Sequence, residues 1–374
     1  MNEQNRSSEK SVPVYRRIVD FLEEGIRCGD FPVGGKLPTD GELTARFKTT
    51  RSTVAKAMQE LKLRNLIDRR IGSGSRVRPE ARLLVSPVAL IIAGMRDIRF
   101  FEPVCSSIAK HCDASGLQLI REYGVTPYVM NECHAETLVQ SCLARGVIGV
   151  FYAPCELPDS DGPDLNREIT QTLTQAGVTV VLLDRDIVHY PQRSQFDLVG
   201  IDNYEAGWLQ ARHLIERGCR KIVYAARSGQ VVTMSGRFAG YRFALEAAGI
   251  KYHPSWLLTG DSEDVNYAKI ILRLGADGVV CFHDPIAIDL LCSFQDLRIP
   301  VPEQIKVIGL DDVNYSRYLN IPLTTLRQPC EKIGAAAVER MIRRLAGEEG
   351  QAKQILFSAA LIPRTSTYQP AYTS

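Results

Sequence analysis

The sequence contains no apolar run approaching about 18 residues, so it predicts no membrane-spanning helix. Its first dozen residues, MNEQNRSSEKSV, are polar and of mixed charge, and they lack the apolar core of a signal peptide. The ten cysteines form no C-x-x-C pair, and none pairs with a histidine at metal-ligand spacing. We therefore expect a cytoplasmic protein with buried, reduced thiols, no metal and no cofactor.

Signatures of the common enzyme classes are also missing. The sequence has no G-x-S-x-G, no G-x-x-x-x-G-K-(S/T) and no H-E-x-x-H. Asp311 and Asp312 are adjacent carboxylates, but at the end of a strand they point to different places and make a poor acid/base pair. These absences favour a protein that is not an enzyme.

Positive charge is concentrated at the front of the chain. Of 374 residues, the first 78 hold 16 Lys and Arg against 10 Asp and Glu, whereas the remainder carries a small net negative charge. A chain of this length suggests two or three folded units. A basic unit on a mildly acidic body predicts a polyanionic partner for that unit alone.

The basic unit has the pattern of three helices and a hairpin. Residues 13–28 place Ile18, Leu22 and Ile26 on one helix face. Thr39 or Asp40 can cap a second helix that ends near residue 47, and a third helix is predicted over about 51–64. The stretch LIDRRIGSGSRVRP then reads as a two-stranded hairpin. This order predicts a winged helix-turn-helix over residues 1–78, followed by a linker over 79–87.

Hydroxyl and guanidinium groups gather where the third helix begins. Such groups can bond phosphates and base edges when a helix enters the major groove. The predicted DNA-binding residues are Lys48, Thr50, Arg51, Ser52, Thr53, Lys56, Arg69, Arg70, Gly72 and Arg76. The alternative is a solvated basic face on which Thr50 only caps the helix.

About 65 residues of this unit resemble the GntR-type winged helix. The similarity runs through GGKLPTDGELTARF, TRSTVAKAMQEL and GSGSRV. It implies that Arg51 and Thr53 contact DNA and that Gly72 lies at a wing in the minor groove. Gly41 and Ala55 stand where the family often has arginine, so the resemblance does not imply an operator sequence.

From residue 88 onward, apolar strand-like runs alternate with helical patterns. One series begins at PVALIIAG and a second at FDLVGID. This alternation predicts an α/β body over residues 88–374, built from two doubly wound lobes. Ligands of such sheets bind at the carboxyl ends of the strands. The polar residues predicted at these ends are Asp184, Asp202, His283, Asp284, Asp311 and Asp312.

The body resembles the effector domain of the lactose/galactose repressor family, most strongly from residue 197. The motifs are GIDNYEAGWLQARHLIERG, SGRFAGYRFALEAAGI and VIGLDDVNYSRYLNIPLTTLRQ. The resemblance implies a small polyhydroxylated effector. It assigns effector binding to Phe100, Phe101, Tyr152, Asp184, Arg237, His283 and Asp311, with His283 replacing the family's asparagine. A GntR-type head on this body is similar to arabinose-responsive repressors.

Structural roles compete with some of these assignments. Asp202 and Asn203 are expected to cap the helix over 204–216, Asp284 is expected to cap a helix over 285–293, and the two phenylalanines can be core aromatics. We expect a dimeric, sugar-responsive transcriptional repressor of carbohydrate-use genes that binds a pseudo-palindromic operator. The alternative is a solute-binding receptor for sugar transport.

Overall fold

The computed structural model describes residues 12–70, 74–78, 81–92, 101–123, 132–155, 162–188, 192–227 and 232–368. Its helices are α1 (Val14–Cys28), α2 (Asp40–Phe47), α3 (Arg51–Leu63), α4 (Ala81–Val85), α5 (Glu102–Ala114), α6 (Glu132–Ala144), α7 (Gly162–Gln175), α8 (Asn203–Glu216), α9 (Val232–Ala247), α10 (Val265–Arg273), α11 (Asp284–Asp296) and α12 (Cys330–Leu345). Its strands are β1 (Ile67–Arg70), β2 (Gly74–Val77), β3 (Val88–Ile92), β4 (Leu119–Tyr123), β5 (Gly149–Ala153), β6 (Thr179–Leu183), β7 (Asp197–Ile201), β8 (Ile222–Arg227), β9 (Leu257–Gly260), β10 (Gly278–Cys281), β11 (Lys306–Leu310), β12 (Thr324–Arg327), β13 (Gln354–Phe357) and β14 (Ala360–Ile362).

The front unit is the predicted winged helix-turn-helix. Helices α1 to α3 enclose a core whose buried members include Ile18, Leu22 and Met58, and β1 pairs antiparallel with β2. The predicted capping box is present at α2, where the Thr39 hydroxyl accepts from the Glu42 amide and the Glu42 carboxylate accepts from the Thr39 amide. Helix spacing and capping chemistry therefore set the local structure, as the sequence predicts.

The segment predicted as a linker contains helix α4. Ala81 is fully buried in the core of the front unit, and Leu84 and Val85 pack against that core. Ala81, Leu84 and Val85 thereby bury apolar surface that an extended linker would expose to water. The core of the front unit therefore extends beyond residue 78.

Each lobe of the body is built on a six-stranded sheet. The first lobe has the order β13-β7-β6-β5-β3-β4, with every pair parallel. The second has the order β14-β12-β11-β10-β8-β9, and β14 is its antiparallel edge strand. This is the predicted pair of doubly wound lobes. Within the described residues, no helix is long and apolar enough to cross a membrane.

Strand β7 lies in the first lobe, whereas the sequence predicts that it begins the second. β7, the FDLVGID strand, pairs with β6 and β13 and therefore completes the first lobe. The chain passes between lobes three times, from β7 to α8, from β12 to α12 and from β13 to β14. These three connections join the two lobes.

The cysteines whose side chains the structure describes are not uniformly buried. Those whose side chains the structure describes form no disulfide with one another. Cys28 and Cys292 are exposed, so the expectation of buried thiols is wrong at these two positions.

Candidate functional site

The beginning of α3 presents hydroxyl groups beside an exposed guanidinium. Thr50 caps the helix by accepting from the Thr53 amide at 3.4 Å, and its hydroxyl lies 2.9 Å from the Ser52 hydroxyl and 3.0 Å from that of Thr53. Arg51 is exposed and makes no hydrogen bond or ion pair with any residue that the structure describes. A helix amino terminus with neighbouring hydroxyls suits a phosphate oxygen.

Three other predicted DNA-binding side chains hold the unit together. Arg69 forms a 2.5 Å ion pair with Asp40, and Arg76 donates to the backbone carbonyl of Gly34 at 2.8 Å. The Lys56 ammonium lies 4.1 Å from the centre of the Tyr15 ring. The two arginine contacts fix the hairpin against α2 and the preceding turn, and the Lys56 contact joins α3 to α1. All three cationic side chains remain exposed.

Three predicted DNA-binding residues remain, namely Lys48, Arg70 and Gly72. Lys48 is exposed at the end of α2, where its left-handed backbone (φ 47°) turns the chain toward α3. Gly72 and the side chain of Arg70 fall outside the described residues.

In the first lobe, Asp184 follows β6 and is paired with its neighbour. The Asp184 carboxylate accepts from Arg185 Nε at 3.0 Å and from Nη2 at 2.6 Å. Both side chains are largely buried, and Arg185 also donates to the carbonyl of Pro154 at the end of β5. The pair therefore ties the carboxyl ends of two neighbouring strands. Arg185 was not singled out from the sequence, although its position after a buried strand is the signal that identified Asp184.

Arg237 lies on α9 and reaches both α8 and the end of β10. Its Nε donates to Asn203 Oδ1 at 2.6 Å, and its Nη1 donates to the carbonyl of Phe282 at 2.7 Å. The guanidinium carbon lies 4.3 Å from the centre of the Phe282 ring, and only 5% of the arginine is exposed. A buried, oriented guanidinium is suited to bonding oxygen acceptors on a ligand.

The residue that caps α11 is His283 and not Asp284. His283 caps α11, because its Nδ1 accepts from the Ile286 amide at 3.4 Å while its backbone is extended. Asp284 is the first helical residue and is fully buried, so the expectation that it caps the helix is wrong. Its carboxyl accepts from the Thr325 hydroxyl at 2.5 Å and from the Val313 amide at 2.9 Å.

Asp311 and Asp312 follow β11 and are bonded to different partners. Asp311 accepts from the Gln328 amide at 2.7 Å, and Asp312 lies between Arg327 and Arg364. Burial, followed by the nearby charge of Asp311, raises the pKa of Asp284 well above its ordinary value. Burial and the neighbouring carboxyl groups therefore both disfavour the charged form of Asp284 relative to an exposed aspartate.

Tyr152 does not occupy the position expected of a cleft residue. It is fully buried, and its hydroxyl donates to Asn166 Oδ1 at 2.6 Å. Asn166 also bonds the amide and carbonyl of Cys155, so this network supports the end of β5. The resemblance that predicts Tyr152 at the cleft does not specify which face of the strand its side chain occupies, and its complete burial argues against direct contact with an effector.

The aromatic residues predicted at the wall of the cleft are only partly described. Phe101 is 8% exposed and belongs to the core of the first lobe, which agrees with the alternative role. Phe100 lies outside the described residues. Asp202 caps α8 through the Glu205 amide at 3.0 Å, as predicted, whereas Asn203 bonds Arg237.

Comparison with known proteins fits both units. The model of the bacterial regulatory proteins of the gntR family matches residues 14–77, and that of the periplasmic binding protein-like domain matches residues 211–367. The HTH-type transcriptional repressor PurR of Yersinia pestis bv. Antiqua is 35% identical over 284 residues, which cover 74% of this chain and 78% of that protein. The chain belongs to the lactose/galactose repressor family of transcriptional regulators. Its head is of the GntR type.

Solved structures share the fold of this regulator. The transcription regulator CcpA of Lactococcus lactis superposes with a TM-score of 0.65 at 22% identity, covering 76% of this chain and all of that one. A complex of the transcriptional regulator CelR with cellobiose superposes with a TM-score of 0.64 at 22% identity, covering 84% of this chain and 90% of that one. The predicted fold class is confirmed, and the regulator's family consists of DNA-binding proteins rather than enzymes.

Proposed function

We propose that this regulator is a cytoplasmic repressor of carbohydrate-use genes, which binds operator DNA as a homodimer and responds to a sugar-like effector held between its lobes. The observation that carries the proposal is the arrangement at the strand ends. Asp184 lies in the first lobe, and Arg237, His283 and Asp311 lie in the second, on either side of three chain connections. The related CelR binds cellobiose, which supports a sugar as the effector class.

The chemistry of these side chains suits a polyhydroxylated molecule. Carboxylates accept from hydroxyl groups and guanidinium groups donate to them, so planar polar groups can hold adjacent hydroxyls of a sugar. We assign effector binding to Asp184, Arg237, His283 and Asp311, and DNA binding to the beginning of α3 and the hairpin.

An effector between the lobes would favour one angle between them. In a dimer, that angle would set the spacing of the two heads and thus their fit to two half-sites. The effector shifts this equilibrium only by its difference in affinity for the two states, which is typically about 1–3 kcal/mol of coupling. For a repressor, the sugar would favour the state that releases DNA.

The test is a titration of the full-length protein with a duplex from its own promoter region, with and without cellobiose, D-ribose or L-arabinose. Fluorescence anisotropy should show tight binding that one sugar weakens by roughly 5- to 150-fold. Binding of a sugar with no affinity for any duplex would favour the transport receptor instead. Binding of DNA that no bound sugar changes would contradict the allosteric part of the proposal.

A further inference from the structure

Asn203 occupies the first position of α8, directly after the chain leaves the first lobe. Its neighbour Asp202 already caps this helix, since the Asp202 carboxylate accepts from the Glu205 amide at 3.0 Å. The Asn203 amide is therefore not needed at the helix end. Its oxygen instead accepts from Arg237 Nε, at 2.6 Å and 34 residues along the chain.

The two protein acceptors of Arg237 are both neutral. They are the Asn203 amide oxygen and the Phe282 carbonyl, and no carboxylate among the described residues forms an ion pair with this guanidinium. A guanidinium has five N–H donors, of which these bonds use two. The remaining donors, on Nη1 and Nη2, are left for a ligand. The side chain is largely buried, yet its Nη2, which has no partner among the described residues, is not among the buried polar atoms without a partner, so it is accessible to the oxygen acceptors of a ligand.

Close contact between α8 and α9 fixes the distance between these two residues. A Cβ atom on Gly207 would lie 1.8 Å from the Arg237 carbonyl oxygen, and one on Gly240 would lie 1.9 Å from that of Tyr204. Only glycine allows this approach. Both helices pack with the second lobe, so the bond between Asn203 and Arg237 can persist while the lobes rotate.

We propose that Asn203 is a positioning residue for effector binding: it holds the guanidinium of Arg237 in the plane that directs Nη1 and Nη2 toward oxygen atoms of the effector. This inference rests on the proposed function. Asn203 bonds the one guanidinium nitrogen, Nε, that lies nearest the side-chain stem, so it fixes the rotation of the whole planar group. The Phe282 ring restricts the same plane from its face.

The test compares three changes in the full-length protein. Asn203→Leu keeps a similar volume but removes the acceptor, whereas Asn203→Asp keeps an oxygen acceptor. Asp202→Ala is the matched control, because it removes the helix cap next to Asn203 and leaves the bond to Arg237. The probe is whichever of cellobiose, D-ribose and L-arabinose most raises the melting temperature of the wild-type protein.

Two readouts separate positioning from mere stability. The first is the Nε–H signal of Arg237 in protein labelled with ¹⁵N-arginine, assigned by its loss in Arg237→Lys. Its hydrogen exchange should be slow in the wild type, Asn203→Asp and Asp202→Ala, and fast in Asn203→Leu. The second is calorimetric affinity for the probe sugar. Asn203→Leu should weaken it about tenfold or more, the effect of losing a hydrogen bond to a charged group, and the other two should retain it.

The outcomes distinguish this inference from the proposed function. Equal exchange of the Arg237 signal in all variants overturns the positioning role, whatever the sugars do. The positioning role is also overturned if the Arg237 Nε–H exchanges fast in Asn203→Leu while the affinity of this variant for the probe sugar equals that of the wild type. If the exchange pattern is as expected but no sugar binds the wild type, the sugar class of the proposed function is wrong, and the fixed orientation of Arg237 stands.

Discussion

The buried carboxylate of Asp197 accepts two hydrogen bonds from Arg340, at 3.0 Å from Nε and 2.9 Å from Nη2. Asp197 begins β7, and Arg340 lies on α12, the helix that returns from the second lobe. Burial raises the pKa of this carboxyl, but hydrogen bonds from Arg344, the Lys353 amide and Arg340 outweigh burial and lower the pKa to about 2. The ion pair therefore anchors the second inter-lobe connection to the first lobe.

Replacing this carboxylate should destabilise the first lobe strongly. Asp197→Asn removes the carboxylate partner of Arg344 and one of the two carboxylate partners of Arg340, which keeps Glu348. Breaking a buried pair typically costs about 3–5 kcal/mol. Because the folded pKa is lowered, the wild-type advantage is complete above the ordinary value of 3.8 and is lost as the pH falls toward about 2. Urea unfolding from pH 7 to pH 3 measures both effects.

The matched control for this change is Glu339→Gln on the same helix. Glu339 pairs with Arg343 in an exposed contact, and such pairs contribute about 0–1 kcal/mol. A loss of stability in Asp197→Asn no larger than in this control would show that the buried pair contributes little.

A second pH effect should come from His213 on α8. Its ring nitrogen Nε2 lies 2.8 Å from the Thr367 hydroxyl, and burial, followed by the charge of Arg217, lowers its pKa to about 4. The folded state therefore binds this proton less readily than the unfolded chain. Stability from the neutral ring is complete above pH 6.5 and is lost as the pH falls toward 4, by on the order of 3 kcal/mol.

His213→Gln should remove this part of the pH dependence, since glutamine does not titrate. The melting temperatures of the wild type and His213→Gln, measured at pH 7.5, 6 and 5, should differ less as the pH falls. His253→Gln, which replaces an exposed histidine, serves as the control. If the melting temperatures of the wild type and His213→Gln instead change with pH in parallel, the ring is not held neutral by its surroundings.

Local chemistry could be predicted from the sequence, and distant contacts could not. The spacing of Ile18, Leu22 and Ile26 predicted α1, and the Thr39 capping box predicted α2, because both signals lie within a few residues. The lobe that contains β7 depends on pairing with β6 and β13, which no local pattern specifies. For the same reason, only the structure shows the bond between Asn203 and Arg237.

The family motif located Arg237 and Asp311, but it did not reveal their partners. Gln328 ends the motif that contains Asp311, and only the structure shows that its side-chain amide donates to Asp311. The family resemblance predicts Tyr152 at the cleft, yet its side chain is fully buried in the first lobe. Which face of a buried parallel strand is open depends on helices that pack from elsewhere in the chain.

DNA affinity should depend on the beginning of α3 and not on its end. Arg51→Ala is expected to weaken operator binding by roughly 1–3 kcal/mol if the guanidinium reads a base. Lys62→Ala removes an exposed cation from the last turn of the same helix and should change affinity little. Anisotropy titrations at two salt concentrations would measure the operator affinity of each variant. Equal losses in the two variants would indicate a general charge effect instead of groove contact.

The effector response should be separable from DNA binding at Arg237. Arg237→Ala removes the buried guanidinium from the second lobe while the head is unchanged, so operator affinity without sugar should stay within about twofold of the wild type, a change of less than about 0.5 kcal/mol. The weakening of DNA binding by sugar should disappear. Arg242→Ala is the matched control, because this exposed arginine lies on the same helix and stacks on Tyr252. A normal sugar response in Arg237→Ala would show that the effector binds elsewhere, since an effector acts on the lobes only through groups that contact it differently in the two states.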